Sequence, residues 1–178
     1  MYEVIIFDAD ETLFDFKKAE RYALKNMLLD FNIDYEEDFH LPIYRDINNE
    51  IWDRFEKGLV SQADLKLERF KMYNTSINAN LDIQSMSDRY LNHLAEGSFI
   101  FEESLELLSY LKEKYRLTMI TNGLKLVQDK RIRKSQIAHI FEDIVVSEEV
   151  KVSKPNPEIF EIALNNINHS DKPKFLRM

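Results

Sequence analysis

The sequence predicts an α/β protein whose doubly wound parallel-sheet core is interrupted, straight after its first strand, by a bundle of helices. Two observations lead to this prediction. An apolar run rich in β-branched residues occupies positions 4–7, and strands alternate with helices again from residue 97 onward. Residues 14–94 between them show helical spacing and almost no strand signal. We therefore expect a core of residues 1–14 and 96–178 and a helical insertion of residues 15–95.

The insertion is predicted to contain four helices, enough to bury their apolar faces against one another. The second helix has Pro42 in its first turn and an apolar residue at every fourth position as far as Leu59. Ser61 with Asp64 is typical of a capping box ahead of the third helix, and Asp82 precedes the fourth.

The second half of the chain is predicted to alternate between helices and strands. Asn156 is expected to cap the last helix, with Pro157 as its first residue. Alternation of this kind implies parallel strands joined by right-handed crossovers. In chain order we predict a helix over 104–115, a strand over 117–120, a helix over 124–136, a strand over 144–146, a helix ending near 166 and a strand beginning at 175.

Composition limits the classes of partner. With 178 residues, of which 44% are hydrophobic, the chain is long enough to bury a core. A net charge of -8 argues against nucleic-acid polymers and anionic membranes as partners, because both attract basic surfaces. Cysteine is absent, which excludes thiol catalysis and disulfides. No apolar run approaches the ~20 residues of a membrane span, so we expect a cytoplasmic protein.

Two acids follow the first strand directly. Asp8 and Asp10 lie at its carboxyl end, which is the edge of an open α/β sheet where ligands bind. Helix capping is the alternative explanation, because acids favour a helix amino terminus. A calcium loop is excluded, since its sixth and twelfth positions would be Leu13 and Ala19 instead of glycine and glutamate.

Polar residues follow three predicted strands in succession. Asp8 and Asp10 follow the first, Thr121 and Asn122 the second, and Lys154 lies in the loop beyond the third. Each has an ordinary structural explanation alone, such as a turn for Thr-Asn-Gly or a solvated side chain for the lysine. A parallel sheet brings all three strand ends to one edge. We therefore predict a single site there.

The residues at these positions resemble the motifs of a known family. FDADETL is similar to the first motif of the haloacid dehalogenase-like (HAD) superfamily, ITNG to its second, and KPNPEIF with the preceding VVSEEV to its third. The helical insertion lies where that superfamily has a helical cap. Within the superfamily, the residues of these three motifs look most like those of the pyrimidine 5′-nucleotidase branch. The resemblance implies a Rossmann-like HAD core and a phosphate ester, in particular a nucleoside monophosphate, as substrate.

The resemblance also implies a role for each residue. Asp8 would be the nucleophile that forms an aspartyl-phosphate, and Asp10 would protonate the leaving group and activate water, which requires a raised pKa. The Thr121 hydroxyl and the Asn122 backbone N–H would bind phosphoryl oxygens, and Lys154 would offset the negative charge. Mg²⁺ would be held by the Asp8 carboxylate and the Asp10 backbone carbonyl. An aspartate at position 10 argues against the true dehalogenases.

The fourth motif of the superfamily, a set of acids after the fourth core strand, has no counterpart before Met178. We therefore expect weak Mg²⁺ binding and impaired turnover. Glu148 and Glu149 follow the third strand and are candidate substitutes for the missing ligand, but a structural role is favoured for both because they accompany the third motif. A core that is incomplete at its carboxyl terminus would also leave an unpaired strand edge, so homo-oligomerisation is expected.

Two other classes of function fit part of the pattern. A phospho-acceptor receiver domain combines acids, a threonine and Lys-Pro on a parallel sheet, but it has no helical bundle after its first strand. A non-catalytic phosphate-binding protein derived from the same fold is the second alternative. Substrate choice is assigned to the insertion, whose aromatic residues either stack a base or fill the bundle core. These aromatic residues are Phe14, Phe16, Tyr44, Trp52 and Phe55.

Overall fold

The computed structural model describes residues 2–169 and 175–177, and within them it contains a four-stranded parallel sheet in the order β3-β2-β1-β4. The strands are β1 (Val4–Asp8), β2 (Arg116–Thr121), β3 (Asp143–Val146) and β4 (Phe175–Arg177). The helices are α1 (Phe16–Asp30), α2 (Glu37–Glu56), α3 (Gln62–Ser76), α4 (Ile83–Glu96), α5 (Glu102–Lys112), α6 (Lys125–Arg131), α7 (Ser147–Val150) and α8 (Glu158–Asn166), with a 3-10 turn at Ala138–Ile140. The predicted α/β class with a parallel sheet is confirmed.

Strand β1 lies in the middle of the sheet and is buried on both faces. Ile5 and Phe7 pack into a core with β2, α5 and the segment after α6, whereas Val4 and Ile6 pack against α8 on the opposite face. A strand covered on both sides needs apolar residues at consecutive positions, which explains why this run does not alternate with polar residues. The β1–β2 register pairs Asp8 with Ile120.

The chain divides into two compact units. One consists of Met1–Glu20 and Ala95–Met178 and contains the sheet, and the other consists of Arg21–Leu94 and is helical. The division falls inside α1 and near the end of α4. Among the residues described, no helix combines the length and the apolar character needed to cross a bilayer.

The helical unit has an aromatic centre. Tyr44 is fully buried, and its ring centroid lies 5.1 Å from that of Tyr90 and 5.6 Å from that of Tyr73. The ring centroid of Phe70 lies 5.3 Å from that of Tyr90. Aromatic pairs at these separations are typical of a packed core. Tyr44 therefore belongs to the bundle core and is not available to stack a base.

Helix α2 begins earlier than the sequence indicates. It starts at Glu37, so the prediction that Pro42 lies in its first turn is wrong. Proline removes one helical hydrogen bond, which would have reached the carbonyl of Asp38, and Asp38 is exposed so that water can satisfy that oxygen. The apolar stripe also ends early: Ile51 is buried, but Leu59 lies beyond the helix and is 69% exposed.

The predicted caps are present. Ser61 and Asp64 form a reciprocal capping box, and the Asp82 carboxylate accepts a hydrogen bond from the Ser85 backbone N–H at 2.8 Å. Helix α8 starts at Glu158, one residue after the predicted Pro157. The Asn156 side chain still accepts from the Glu158 N–H at 3.0 Å, so it acts as a cap from two residues away.

Helix α5 offers a matched pair of leucines for testing the core. Leu108 is fully buried in the core on the Ile5 face, whereas Leu107 is 41% exposed. We expect Leu108→Ala to lower the free energy of unfolding by about 3 kcal/mol, because it removes buried methyl groups and leaves a cavity. Leu107→Ala is the control and should change it by less than about 0.5 kcal/mol. Urea unfolding followed by circular dichroism measures both, and equal losses would contradict this assignment of the core.

Candidate active site

Asp8 and Lys154 form the centre of the site. Asp8 is the last residue of β1; its Oδ1 accepts a hydrogen bond from the Ala9 backbone N–H at 2.7 Å and forms an ion pair with Lys154 Nζ at 2.5 Å. The Asp8 side chain is 41% exposed and that of Lys154 is 23% exposed, so the pair is accessible to a ligand. The carboxylate is therefore held through Oδ1 by one hydrogen bond and one ion pair, and none of the described residues donates a hydrogen bond to Oδ2.

Asn122 holds the loop that carries Lys154. Its side-chain Nδ2 donates to the Lys154 carbonyl at 2.9 Å, and its Oδ1 accepts from the Lys154 backbone N–H at 2.8 Å. The side-chain amide thus pairs with both the N–H and the C=O of Lys154, which fixes the backbone of the loop relative to the end of β2. The side chain of Asn122 thus positions Lys154, a role that the sequence analysis did not foresee.

Asp10 lies against a buried arginine. Arg131, which is 1% exposed, donates from Nη2 to Asp10 Oδ1. The guanidinium also lies 5.6 Å from the centroid of the Phe14 ring and 5.5 Å from that of Phe16. Two of the aromatic residues considered for base stacking therefore line a buried ion pair.

Burial raises the pKa of the Asp10 carboxyl above its ordinary value, and the negative charge of Asp8 adds to the rise. The adjacent Arg131 guanidinium and Lys154 act in the opposite direction but do not cancel the effect of burial. The balance favours a carboxyl that can exist in both protonation states, as a group that gives and takes a proton must.

Helix capping does not account for Asp8 and Asp10. The start of α1 is capped by other acids: Glu11 accepts from the Lys17 N–H at 3.0 Å, and Asp15 accepts from the Lys18 N–H at 2.8 Å. Asp8 and Asp10 are instead paired with cations. The capping alternative is therefore ruled out for both residues.

Thr121 is connected to Asp10 through two side chains of α6. Thr121 Oγ1 accepts from Gln128 Nε2 at 2.9 Å, and Gln128 Oε1 accepts from Arg131 Nε at 3.3 Å. Because β1 pairs Asp8 with Ile120, Thr121 stands one residue further along the neighbouring strand. Among the described residues Gln128 is the side-chain partner of Thr121, and no direct hydrogen bond joins Thr121 to Asp8 or Lys154.

Gln128 and Arg131 were not among the predicted site residues. They lie three residues apart on α6, which ends at Arg131 and is shorter than the helix predicted over 124–136. Both are buried on the same face as Val127. The sequence feature that could have indicated them is the Gln-x-x-Arg spacing that begins five residues after Gly123. This spacing puts two polar side chains on one face of the helix.

Hard oxygen ligands for a divalent cation are present. Within the described part of the chain, Asp8 Oδ2 accepts no hydrogen bond and the Asp10 carbonyl is not used by any backbone N–H. Two such oxygens suit Mg²⁺, which commonly takes one or two protein ligands and completes its octahedron with water and substrate phosphate. The described residues contain no group of three or more acidic or histidine side chains that could hold a metal.

Glu148 and Glu149 contact α6 instead of the site. Glu148 accepts a hydrogen bond from the Lys125 backbone N–H at 2.5 Å, which caps the helix. Glu149 pairs with Arg133 at 2.9 Å and with Lys125 Nζ at 3.2 Å. Both acids therefore connect α7 to α6 and the residues just after it, which is the structural role expected of them.

Comparison with known proteins identifies the family. The sequence profile of the haloacid dehalogenase-like hydrolases matches residues 2–174. The chain belongs to this family of hydrolases. The resemblance noted in the three motifs is thereby confirmed.

Several HAD relatives resemble the chain over most of its length. HAD-hydrolase YfnB of Bacillus subtilis is 31% identical over 93% of this chain and 70% of the relative. Pyrimidine 5′-nucleotidase YjjG of Escherichia coli K12 is 30% identical over 98% and 76%. A glyceraldehyde 3-phosphate phosphatase of Methanothermobacter thermautotrophicus is 26% identical over 94% and 72%. The crystal structure of YfnB, described as bound to magnesium, superposes with a TM-score of 0.91 at 30% identity and covers 99% of this chain and 77% of YfnB.

The raised pKa of Asp10 has a consequence for stability. A carboxyl whose pKa is higher in the folded than in the unfolded state binds more protons when folded, so the stability it contributes falls as pH rises. Asp10→Asn removes this dependence. We expect the free energy of unfolding of Asp10→Asn, relative to wild type, to increase between about pH 4 and about pH 7. Urea titrations with EDTA measure it, and a constant or decreasing difference would contradict the direction of the shift.

Proposed function

We propose that this HAD hydrolase is a Mg²⁺-dependent phosphomonoesterase that acts through an aspartyl-phosphate on Asp8, with a nucleoside monophosphate as substrate. The contact of Lys154 Nζ with Asp8 Oδ1 at 2.5 Å is the observation that carries the proposal. It places an ammonium group beside the carboxylate at the carboxyl end of β1, where the negative charge of Asp8 would otherwise oppose the approach of an anionic ester.

In the first step the Asp8 carboxylate attacks phosphorus, and the bond between phosphorus and the ester oxygen breaks. Asp10 gives its proton to the departing oxygen, which leaves as an alcohol. Arg131 donates to Asp10 Oδ1, and the other Asp10 oxygen, which no side chain of the described residues contacts by a hydrogen bond, would carry this proton. Lys154 balances the charge on the transferred group.

In the second step water attacks phosphorus, and the bond between phosphorus and Asp8 breaks. Asp10, now ionised, accepts the proton of that water, so that inorganic phosphate leaves and both carboxyl groups return to their starting states. The Thr121 hydroxyl and the Asn122 backbone N–H are proposed to bind phosphoryl oxygens. Mg²⁺, held by the Asp8 carboxylate and the Asp10 carbonyl, would supply electrostatic stabilisation of the phosphoryl oxygens.

The proposal of a nucleotide substrate rests on the relatives. YjjG, which is named a pyrimidine 5′-nucleotidase, is 30% identical to this chain, and the glyceraldehyde 3-phosphate phosphatase is 26% identical. In the helical unit Trp52 and Phe55 are only partly buried, and their ring centroids lie 5.7 Å apart. Partly exposed rings of this kind are available for stacking on a base, whereas Phe14 and Tyr44 are fully buried.

Asp8→Asn tests the assignment of the nucleophile. An amide does not form the acyl phosphate, so we expect hydrolysis of p-nitrophenyl phosphate to fall below about one thousandth of the wild-type rate. Asp15→Asn is the matched control: it makes the same chemical change seven residues away, and the amide oxygen still accepts from the Lys18 N–H. Near wild-type turnover in Asp8→Asn would show that another residue attacks phosphorus.

A substrate panel with metal control tests the remainder of the proposal. We expect EDTA to remove hydrolysis and Mg²⁺ to restore it, because Lys154 alone offsets only part of the negative charge of the two carboxylates and the phosphoryl group. Pyrimidine nucleoside monophosphates should be hydrolysed with a higher kcat/KM than glyceraldehyde 3-phosphate, as measured by released phosphate. The opposite order would assign the chain to a triose phosphate. Binding of phosphate without turnover would support the non-catalytic alternative, and the degree to which turnover is impaired is read from the same assay.

A further inference from the structure

Gln128 accepts a hydrogen bond from Arg131 and donates one to Thr121. Arg131 has only donors, so the Gln128 atom that meets Arg131 Nε at 3.3 Å must be the carbonyl oxygen, Oε1. The amide nitrogen is thereby turned toward Thr121, where Nε2 donates to Oγ1 at 2.9 Å. The buried guanidinium therefore determines which end of the amide faces the threonine.

A donated hydrogen bond determines what the Thr121 hydroxyl can do. Its oxygen already accepts from Gln128, and Gln128 offers it no acceptor, so the hydroxyl hydrogen must point elsewhere. None of the described residues accepts that hydrogen, although Thr121 is 1% exposed. A buried donor without an acceptor is costly, which makes a ligand oxygen its natural partner.

Gly123 lies close beside the Gln128 amide. A Cβ added at Gly123 would lie 2.4 Å from Gln128 Nε2, closer than non-bonded atoms approach. The glycine of Thr-Asn-Gly thus leaves room for the amide in this position, and its φ is not positive. The amide cannot take this position beside any larger residue unless it shifts.

We propose that Gln128, aligned by Arg131, is a positioning residue that keeps the Thr121 hydroxyl hydrogen directed at the phosphoryl group. This inference rests on the proposed function, because it assumes that the anion at this site is a phosphoryl group. Gln128 itself touches neither the substrate nor Asp8. Its effect is to ensure that Thr121 acts as a hydrogen-bond donor toward the ligand.

Gln128→Glu is the decisive substitution because it keeps the shape of the side chain and reverses its hydrogen bonding. A carboxylate accepts from the Thr121 hydroxyl, so the hydrogen turns away from the ligand. We expect inorganic phosphate to bind about 10- to 100-fold more weakly, as measured by isothermal titration calorimetry, with a similar fall in kcat/KM. Gln128→Met removes the donor without supplying an acceptor and should cost only about threefold.

A double-mutant cycle separates positioning from the added charge. In a Thr121→Val background there is no hydroxyl to direct, so Gln128→Glu should change phosphate affinity by less than about twofold. A full loss in that background would mean that the new carboxylate acts through repulsion or through Arg131, and it would overturn the inference. Unchanged phosphate binding in the Gln128→Glu single variant would overturn it as well.

The outcomes distinguish this inference from the proposed function. A wild-type chain that neither binds phosphate nor hydrolyses esters refutes the function, and the inference with it. A wild-type chain that does both, with Gln128→Glu unchanged, refutes the inference alone. Thermal unfolding checks the fold of each variant. If Gln128→Glu does not fold, Gln128→Met takes its place. Phosphate affinity should then fall in the chain that keeps Thr121 and stay unchanged in the Thr121→Val background.

Discussion

The ion pair between Lys154 and Asp8 is the interaction on which the rest of the site depends. Two carboxylates lie at the end of β1 in a protein of net charge -8, and an anionic ligand there would add to the repulsion. Lys154 and Arg131 each contact one of the two carboxylates and so divide the compensation between them. The pair at Asp8 stays accessible, whereas the pair at Asp10 is formed with a buried guanidinium.

The strand order explains how these charges come together. Asp8 ends β1, Asn122 follows β2, and Lys154 lies beyond β3, and these three strands are consecutive neighbours in the sheet. Loops that leave parallel strands at the same edge diverge and leave a crevice. Here the Asn122 amide spans two of these loops, so the backbone of Lys154 is held by two hydrogen bonds at the edge where Asp8 ends β1.

Part of the candidate site could be predicted from strand ends. Asp8, Asp10 and Asn122 follow apolar runs that are easily recognised, Lys154 lies in the loop beyond the third strand, and the topology rule for parallel sheets places these residues at one edge. The roles of Gln128 and Arg131 depend on which face of a short helix is buried, and a seven-residue helix shows too few turns for its periodicity to reveal that. The motif resemblance added the chemical roles, which spacing alone does not supply.

Helix boundaries were predicted less well, and the reason lies in solvation. Proline signals the start of a helix because it lacks an N–H, yet Pro42 lies in the second turn of α2. The carbonyl it leaves unpaired belongs to the exposed Asp38, so the cost is reduced by water.

The division of the chain into two units has an evolutionary consequence. Asp8, Asp10, Thr121, Lys154 and their partners all lie in the unit that contains the sheet, and none of them lies in Arg21–Leu94. Substitutions in the helical unit therefore replace none of these charged and hydrogen-bonded groups. Under the proposed function, related chains could differ in the molecules they accept and still share one set of reacting groups.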